Sequence, residues 1–271
     1  MCASCARKTE QYVIVSWFSA GVSSAVATKM ANPDKIIYID IDDQHSDTYR
    51  FIADCEKWFG QKIEVLKSPL CSIENCCYAA SFIRGPKGAA CTNRLKKRVR
   101  KEWEYSNPGR HTYVWGFDCN ERHRSDGTER AMSKYDHVFP ILDRSKSEVH
   151  GILYRAGVKR PAMYDMEYPN NNCIGCVKGG MGYWNKIRID FPDVFERRSA
   201  MERKIGAHIL KECFLDELKE DRGRDLEIIV PDCGMFCETE YLSGTSCAKE
   251  SGQKNDTKEC LQTAHNMPNP Q

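Results

Sequence analysis

"SWFSAGVSSAVATKM" (residues 16–30) decides how the first half of this chain is read. Upstream stands YVIV (12–15), a β-branched and aromatic run with the composition of a buried strand. Within the stretch, Val22, Ala25, Val26 and Met30 recur at helical spacing, and Ser19, Ala20, Gly21, Ser23 and Ser24 fill the join. A strand that ends in a tight turn of small residues and runs straight into a helix points its unpaired first-turn N–H groups at one spot. With serine hydroxyls beside them, these groups make an anion site. An ordinary strand–helix connection with a serine cap fits the same residues, so the rest of the chain must separate the two readings.

Working outward, DKIIYIDI (34–41) reads as a second buried strand that carries Asp40 at its end. SDTYRFIADCEKWFG (46–60) reads as a helix with Ser46 as N-cap, Tyr49, Ile52, Ala53 and Trp58 on its apolar side, and Gly60 as its stop. KIEVLKS (62–68) is a third strand, and the β-α-β-α-β order predicts a parallel sheet with right-handed crossovers. Residues 69–90 read as a Gly/Cys-rich loop, TNRLKKRVRKEWEY (92–105) as a basic helix, and TYVWGF (112–117) as another buried strand. SKSEVHGILYRAG (145–157) reads as a capped helix. YPNNNCIGCVKGGMGYW (168–184) is turn chemistry around two cysteines, after which FPDVFERRSAMERKIGAHIL resumes helical periodicity. Ligands of an open parallel sheet bind beyond the carboxyl ends of its strands. Ser19–Ser24, Asp40, His45 and Gly116–Phe117 all follow predicted strand ends, which favours a nucleotide site over a simple cap.

The 271 residues give room for one large α/β domain with an appendage. A formal charge of +2 neither demands nor excludes nucleic acid, because clustering of the basic residues is what matters. No apolar run is long enough for a membrane-spanning helix, and MCASCARKTEQ at the start has no apolar signal core, so a cytoplasmic protein with no membrane partner is expected. In a reducing compartment the 15 cysteines suit metal ligation, redox chemistry or core packing better than a disulfide framework. Beyond about residue 240, Ser, Thr, Asn, Lys and Pro dominate, and a flexible tail (241–271) is expected.

Several of these segments, in order, resemble one family. FSAGVSSA is similar to the pyrophosphate-binding (PP) loop of the adenine nucleotide α-hydrolase-like superfamily, and IIYIDIDDQHSDTYRFI to the segment that follows it in relatives of phosphoadenosine phosphosulfate (PAPS) reductase. CTNRLKKRVRKEW resembles their Cys-bearing basic helix, WGFDCNERHRS their Gly-x-Arg segment, VFPILDRSKSEVHGIL the start of the helix after their Pro-Leu-Asp, and NNCIGC the C-x-x-C of the iron–sulfur members. The likeness runs from about 12 to 205. It departs from the family at three places. Ser23 stands where the family mostly has Asp, AAC leaves a single Cys91 where iron–sulfur members carry two cysteines, and PDCGMFCE only partly matches the family's nucleophile segment.

The resemblance implies a doubly wound parallel α/β sheet with a Cys-rich helical C-terminal extension. It places a nucleotide-binding domain at 12–165 and, at 166–240, an extension that completes a metal site. It implies an adenine nucleotide (ATP, PAPS or adenosine phosphosulfate) on Ser19, Ala20, Gly21, Val22, Ser23 and Ser24, joined by Asp40, His45 and Gly116, with magnesium a further candidate. Arg122 and Arg124, just past a strand end, suit phosphate or sulfate. Cys173 and Cys176 can meet one metal from a single turn, and with Cys91 they are expected to hold a [4Fe-4S] cluster, with zinc as the alternative and Cys76–Cys77, Cys119, Cys233 or Cys237 as further ligands. Cys2 and Cys5 form a second C-x-x-C without a partner pair, and Cys55 and Cys213 read as core thiols. Two chemistries follow. In one, ATP activates an acceptor with release of pyrophosphate, and sulfur comes from the cluster or another sulfur donor. In the other, a thiolate, for which Cys233 is the candidate, attacks the phosphosulfate and a thioredoxin-like reductant completes the reduction. A non-catalytic adaptor for nucleotide or nucleic acid is the third reading, and a homo-oligomer is expected.

Overall fold

Alternation along the first two strands sends apolar residues to both faces of one sheet. In β1 (Tyr12–Phe18), Val15 and Trp17 join one buried cluster and Phe18 the other. In β2 (Lys35–Asp40), Ile37 and Ile39 face the first cluster, while Ile36 and Tyr38 face the second. A two-residue period with both faces covered requires an unbroken apolar run, which IIYI supplies. The computed structural model describes residues 12–223, Lys87 apart, together with Ile228.

The chain continues through α1 (Val22–Ala31), α2 (Asp47–Phe59), β3 (Glu64–Lys67), α3 (Ile73–Ala80) and a short antiparallel pair, β4 (Arg84–Gly85) and β5 (Gly88–Ala89). A π-helical segment, Thr92–Lys97, leads into α4 (Arg98–Ser106). Then come β6 (Arg110–Val114), α5 (Arg122–Ala131), β7 (Asp136–Val138), α6 (Lys146–Arg155), α7 (Ala162–Asp165), α8 (Met181–Asp190) and α9 (Pro192–Ile205). The main sheet has the order β3-β2-β1-β6-β7 and is parallel throughout. The expected doubly wound α/β class is therefore the observed one. Successive strands are laid to one side of β1 and then to the other, so a crevice opens between the carboxyl ends of β1 and β6.

One face of the sheet is covered by α1, α2 and α6 through Val26, Phe51, Ile52, Val149 and Leu153. The opposite face is covered by α3, α4, α8 and α9, with Cys76, Trp103, Trp184 and Met201 in a single cluster with Val15 and Ile37. The Cys-rich C-terminal segment thus shares its core with the sheet. Among the described residues, no helix is long and apolar enough to cross a membrane.

Three expectations are corrected here. Residues 69–90 are not all loop, because Ile73, Cys76, Cys77 and Ala80 follow helical spacing once cysteine counts as a small hydrophobe, and Ser72 caps α3 by accepting the Asn75 N–H at 3.2 Å. The buried side of α2 is Thr48, Phe51, Ile52 and Cys55; Tyr49 and Ala53 are exposed, as is Met30 on α1. Ser46 makes no side-chain cap, and the first N–H of α2, that of Asp47, instead donates to His45 Nδ1 at 3.1 Å.

Arg198 of α9 lies wholly inside the protein. Its guanidinium pairs with Asp43, in the loop after β2, and with Glu74 of α3, and its Nε donates to the Gly175 carbonyl at 3.3 Å. Asp43 also accepts the Ile73 N–H on its carboxylate at 2.6 Å and the Ile174 N–H on its backbone carbonyl at 2.7 Å. Removing one partner of such a group leaves a buried charge uncompensated. Arg198→Met is therefore expected to cost about 3–5 kcal/mol in urea unfolding, and a loss below ~1 kcal/mol would refute this role.

Candidate functional site

The loop between β1 and α1 is held in an unusual conformation by residues distant in sequence. Ala20 is buried and adopts a left-handed backbone (φ 57), which is costly for a residue with a Cβ. Its carbonyl accepts from Asn171 Nδ2 at 2.9 Å, and the same amide donates to Thr48 Oγ1 at 3.2 Å. The Ser19 N–H donates to Ser24 Oγ at 3.1 Å, closing the turn on itself. Gly21 precedes α1 in extended conformation, and the Val22 N–H donates to Tyr164 Oη at 3.2 Å. The helix start therefore faces the crevice with a hydroxyl already at one of its N–H groups.

Gly116 explains how the second wall comes so near. A Cβ there would lie 3.0 Å from the Ser24 nitrogen and 3.1 Å from the Ser23 carbonyl carbon, so the chain leaving β6 abuts the start of α1. Beyond it, Asp118 and Glu121 form a reciprocal capping box, and Arg124 pairs with Glu121 while stacking over Phe117 at 4.5 Å. The resulting pocket is lined by Ser19, Gly21, Ser23 and Ser24, by Lys96 and Arg124, and by Cys173. Trp17, Phe18, Trp115 and Phe117 supply apolar wall. None of its described lining residues is Asp or Glu. Serine hydroxyls, the positive end of α1, Lys96 and the Glu121-paired Arg124 are groups that suit an anion.

Of the residues expected at the site, Ser19, Gly21, Ser23, Ser24, Gly116 and Arg124 line this pocket, while Ala20 and Val22 are buried. Asp40, His45 and Arg122 stand outside the lining. Asp40 accepts the Tyr49 hydroxyl at 2.8 Å and pairs with Lys67 at 3.2 Å, and the Tyr49 phenol is raised above its ordinary range mainly by that hydrogen bond. His45 caps α2 and lies edge-on to Phe191. Arg122 opens α5 on the surface, its carbonyl accepting the Ser125 hydroxyl at 2.7 Å. Lys96, Tyr164 and Asn171 were not singled out by the sequence. Lys96 was one of many basic residues on a helix, and Asn171 one of three consecutive asparagines.

Cys91, Cys173 and Cys176 are all buried in the same cluster. The C-x-x-C turn is clamped by Tyr183, whose hydroxyl accepts the Cys176 N–H at 2.9 Å and donates to the Cys173 carbonyl at 3.3 Å. Among the described residues, however, no group of three or more His, Cys, Asp or Glu side chains is arranged to hold a metal ion. Burial pushes the Cys76 thiol up to about 11 and Cys77 up to about 12, consistent with packing. Cys55 is a core thiol as expected, Cys119 and Cys213 are partly buried, and Tyr183 and Trp184 are core residues. Cys2, Cys5, Cys233 and Cys237 lie outside the described residues.

The family model of the phosphoadenosine phosphosulfate reductase domain matches residues 13–179. No curated protein matches the chain. Among solved structures, the chain is similar to a phosphoadenylyl-sulfate (PAPS) reductase from Candida auris in complex with phosphate. That likeness has a TM-score of 0.41 and 10% identity, and it covers 61% of this chain and 82% of the other. An NMN synthetase from Francisella tularensis is also similar, with a TM-score of 0.39 and 15% identity over 58% of this chain and 66% of that one.

Two measurements check this geometry. Gly116→Ala is expected to lose about 1–3 kcal/mol, because the new Cβ presses on backbone. Gly21→Ser, whose Cβ meets only ordinary contacts (3.5 Å to Tyr164 Oη), is expected to stay within about 0.5 kcal/mol of the parent. Equal losses in chemical denaturation would refute the close approach. The second concerns Asp47, whose carboxyl is held below its ordinary range by hydrogen bonds from Arg50, reinforced by the Ala162 N–H. Stability from a depressed carboxyl is present above its unfolded pKa and lost as pH falls through the folded one. Asp47→Asn should therefore cost stability near pH 7, with the deficit shrinking below about pH 4. A deficit that stays constant down to pH 3 would rule out the ionised carboxylate as the stabilising form.

Proposed function

The chain belongs to the phosphoadenosine phosphosulfate reductase domain family, and from that premise we propose that it binds an adenylyl sulfate and passes the sulfonate to a thiol, leading to sulfite. The observation that carries this reading is the composition of the pocket wall. Lys96, Arg124 and the thiol-bearing Cys173 surround the Ser19–Ser24 loop, with no carboxylate among the described lining residues. A nucleotide bound through magnesium is usually met by at least one protein carboxylate. A phosphosulfate is met by neutral and cationic donors, which Lys96, Arg124 and the serines of this wall supply.

The chemistry follows from what surrounds the anhydride. A thiolate attacks the sulfur, the bond from sulfur to the bridging oxygen breaks, and the adenosine phosphate leaves with the electron pair. Negative charge grows on that phosphate, and the α1 N-terminus, the serine hydroxyls and Lys96 are donors aimed where it grows. Arg124, paired with Glu121 and stacked on Phe117, would meet a sulfonate or phosphate through the part of its guanidinium that faces the pocket. Ser23, in place of the acidic residue usual in the family, keeps the loop free of a repelling charge. A second thiol then displaces sulfite from the S-sulfonate and leaves a disulfide.

Calorimetry with adenosine 5′-phosphosulfate, with its 3′-phosphorylated form and with ATP tests the proposal. The phosphosulfates are expected to bind equally well with and without a chelator. Lys96→Ala and Arg124→Ala are each expected to weaken them by about tenfold or more, as for a charge-assisted hydrogen bond. Binding of ATP alone, and only with magnesium, would replace this reading with ATP-dependent activation of an acceptor.

A further inference from the structure

Resting on the phosphosulfate reading, we propose that His137 is a positioning residue for the pocket. In its neutral form it holds the aromatic shelf that carries Arg124, and its protonation releases that shelf and weakens nucleotide binding.

The shelf follows from the register of two neighbouring strands. Tyr113 of β6 pairs with His137 of β7, and the Trp115 N–H continues the ladder onto the Val138 carbonyl at 3.0 Å. A two-residue period then brings Trp115 to the side of the sheet that carries His137 and Phe139. Trp115 stacks on Phe117 with ring centroids 5.3 Å apart, and Phe139 stacks on both, at 6.4 and 6.1 Å. The Arg124 guanidinium, paired with Glu121, lies over Phe117 at 4.5 Å. Trp115, Phe117 and Arg124 all line the pocket, so one end of this stack is pocket wall. His137 stands at the other end, its ring 5.7 Å from that of Trp115, and is not among the described lining residues.

Two hydrogen bonds fix the proton on the imidazole. The Trp115 indole N–H can only donate, and it meets His137 Nδ1 at 3.0 Å. The Met132 carbonyl can only accept, and it lies 3.1 Å from Nε2. A neutral ring with its proton on Nε2 satisfies both partners, and no other state does. A second proton would go to Nδ1 and set N–H against N–H, so the acid form must part from the indole. Burial holds the imidazole below its ordinary range, against the Met132 carbonyl, Glu129 of α5 and Asp136 of β7, which favour the cation. From α4, Arg100 reaches Met132 Sδ at 3.9 Å and Glu104 accepts the Tyr113 hydroxyl at 2.7 Å, so that side presents one charge of each sign. A side chain that only filled space would need neither an acceptor toward the indole nor one particular tautomer.

Calorimetry on the full-length chain with adenosine 5′-phosphosulfate tests the assignment, because that ligand has no group that titrates between about pH 8 and about pH 5. Affinity should be level down to about pH 6.5 and then fall by about three- to tenfold, the equivalent of one lost neutral hydrogen bond. Nitrogen NMR of the free chain should find the His137 proton on Nε2 at neutral pH, and the Trp115 indole N–H should shift with the same midpoint as the affinity. His137→Phe, which has no acceptor for the indole, should bind as weakly as the acid form at every pH. His137→Asn, whose side-chain carbonyl accepts without titrating, should restore binding and remove the pH dependence. A level affinity down to about pH 5, a pH dependence that persists in His137→Asn, or a neutral His137 protonated on Nδ1 would overturn the assignment while leaving the nucleotide reading standing. Failure of the parent to bind at about pH 8 would overturn both.

Discussion

The wholly buried guanidinium of Arg198 is the constraint on which the arrangement of the site depends. A cation enclosed by protein is tolerated only when its partners are in place, and here they come from three separate segments: the loop after β2, the first turn of α3 and the C-x-x-C turn. Asp43 extends the same junction to the backbone of Ile73 and Ile174. A hydrophobic substitute of equal volume could fill the space, but it would not specify which segments meet there. The ion network therefore acts mainly to define position. It holds the C-terminal cysteine turn against the carboxyl edge of a sheet formed much earlier in the chain.

The other half of the site depends on close approach of backbone to backbone. β1 and β6 are neighbours, and their exits diverge above the sheet to leave the crevice. Gly116 lets the second exit touch the start of α1, and Ala20 takes a left-handed backbone in the loop whose Ser19, Ser23 and Ser24 line the pocket. The conformational cost at Ala20 is offset by a hydrogen bond from a buried asparagine 151 residues away. The loop is thus held by the segment that also carries Cys173.

The cysteines divide by environment. Cys55, Cys76 and Cys77 are enclosed by apolar neighbours, and burial raises their thiols well above the ordinary range, which suits packing and disfavours ionisation. Cys173 belongs to the same buried cluster as Cys76 and Cys77 and also lines the pocket that holds Lys96 and Arg124. A chain rich in cysteine need not use all of them for the same purpose, and position relative to the pocket distinguishes them better than spacing does.

Local pattern was sufficient for the parallel α/β sheet and for the strand, turn and helix start around Ser19–Ser24 that border the pocket, because a buried strand, a small-residue turn and a helix start are all specified by neighbouring residues. It was not sufficient for α3, whose apolar stripe is written partly in cysteine. Asp40 and His45 follow a strand end as anticipated, yet each is taken up by a nearer partner, Tyr49 with Lys67 in one case and the start of α2 in the other. Lys96, Asn171, Tyr164 and the pocket position of Cys173 were decided only in three dimensions. Their roles arise from contacts between segments far apart in the chain, and no periodicity or spacing within a segment encodes such a contact.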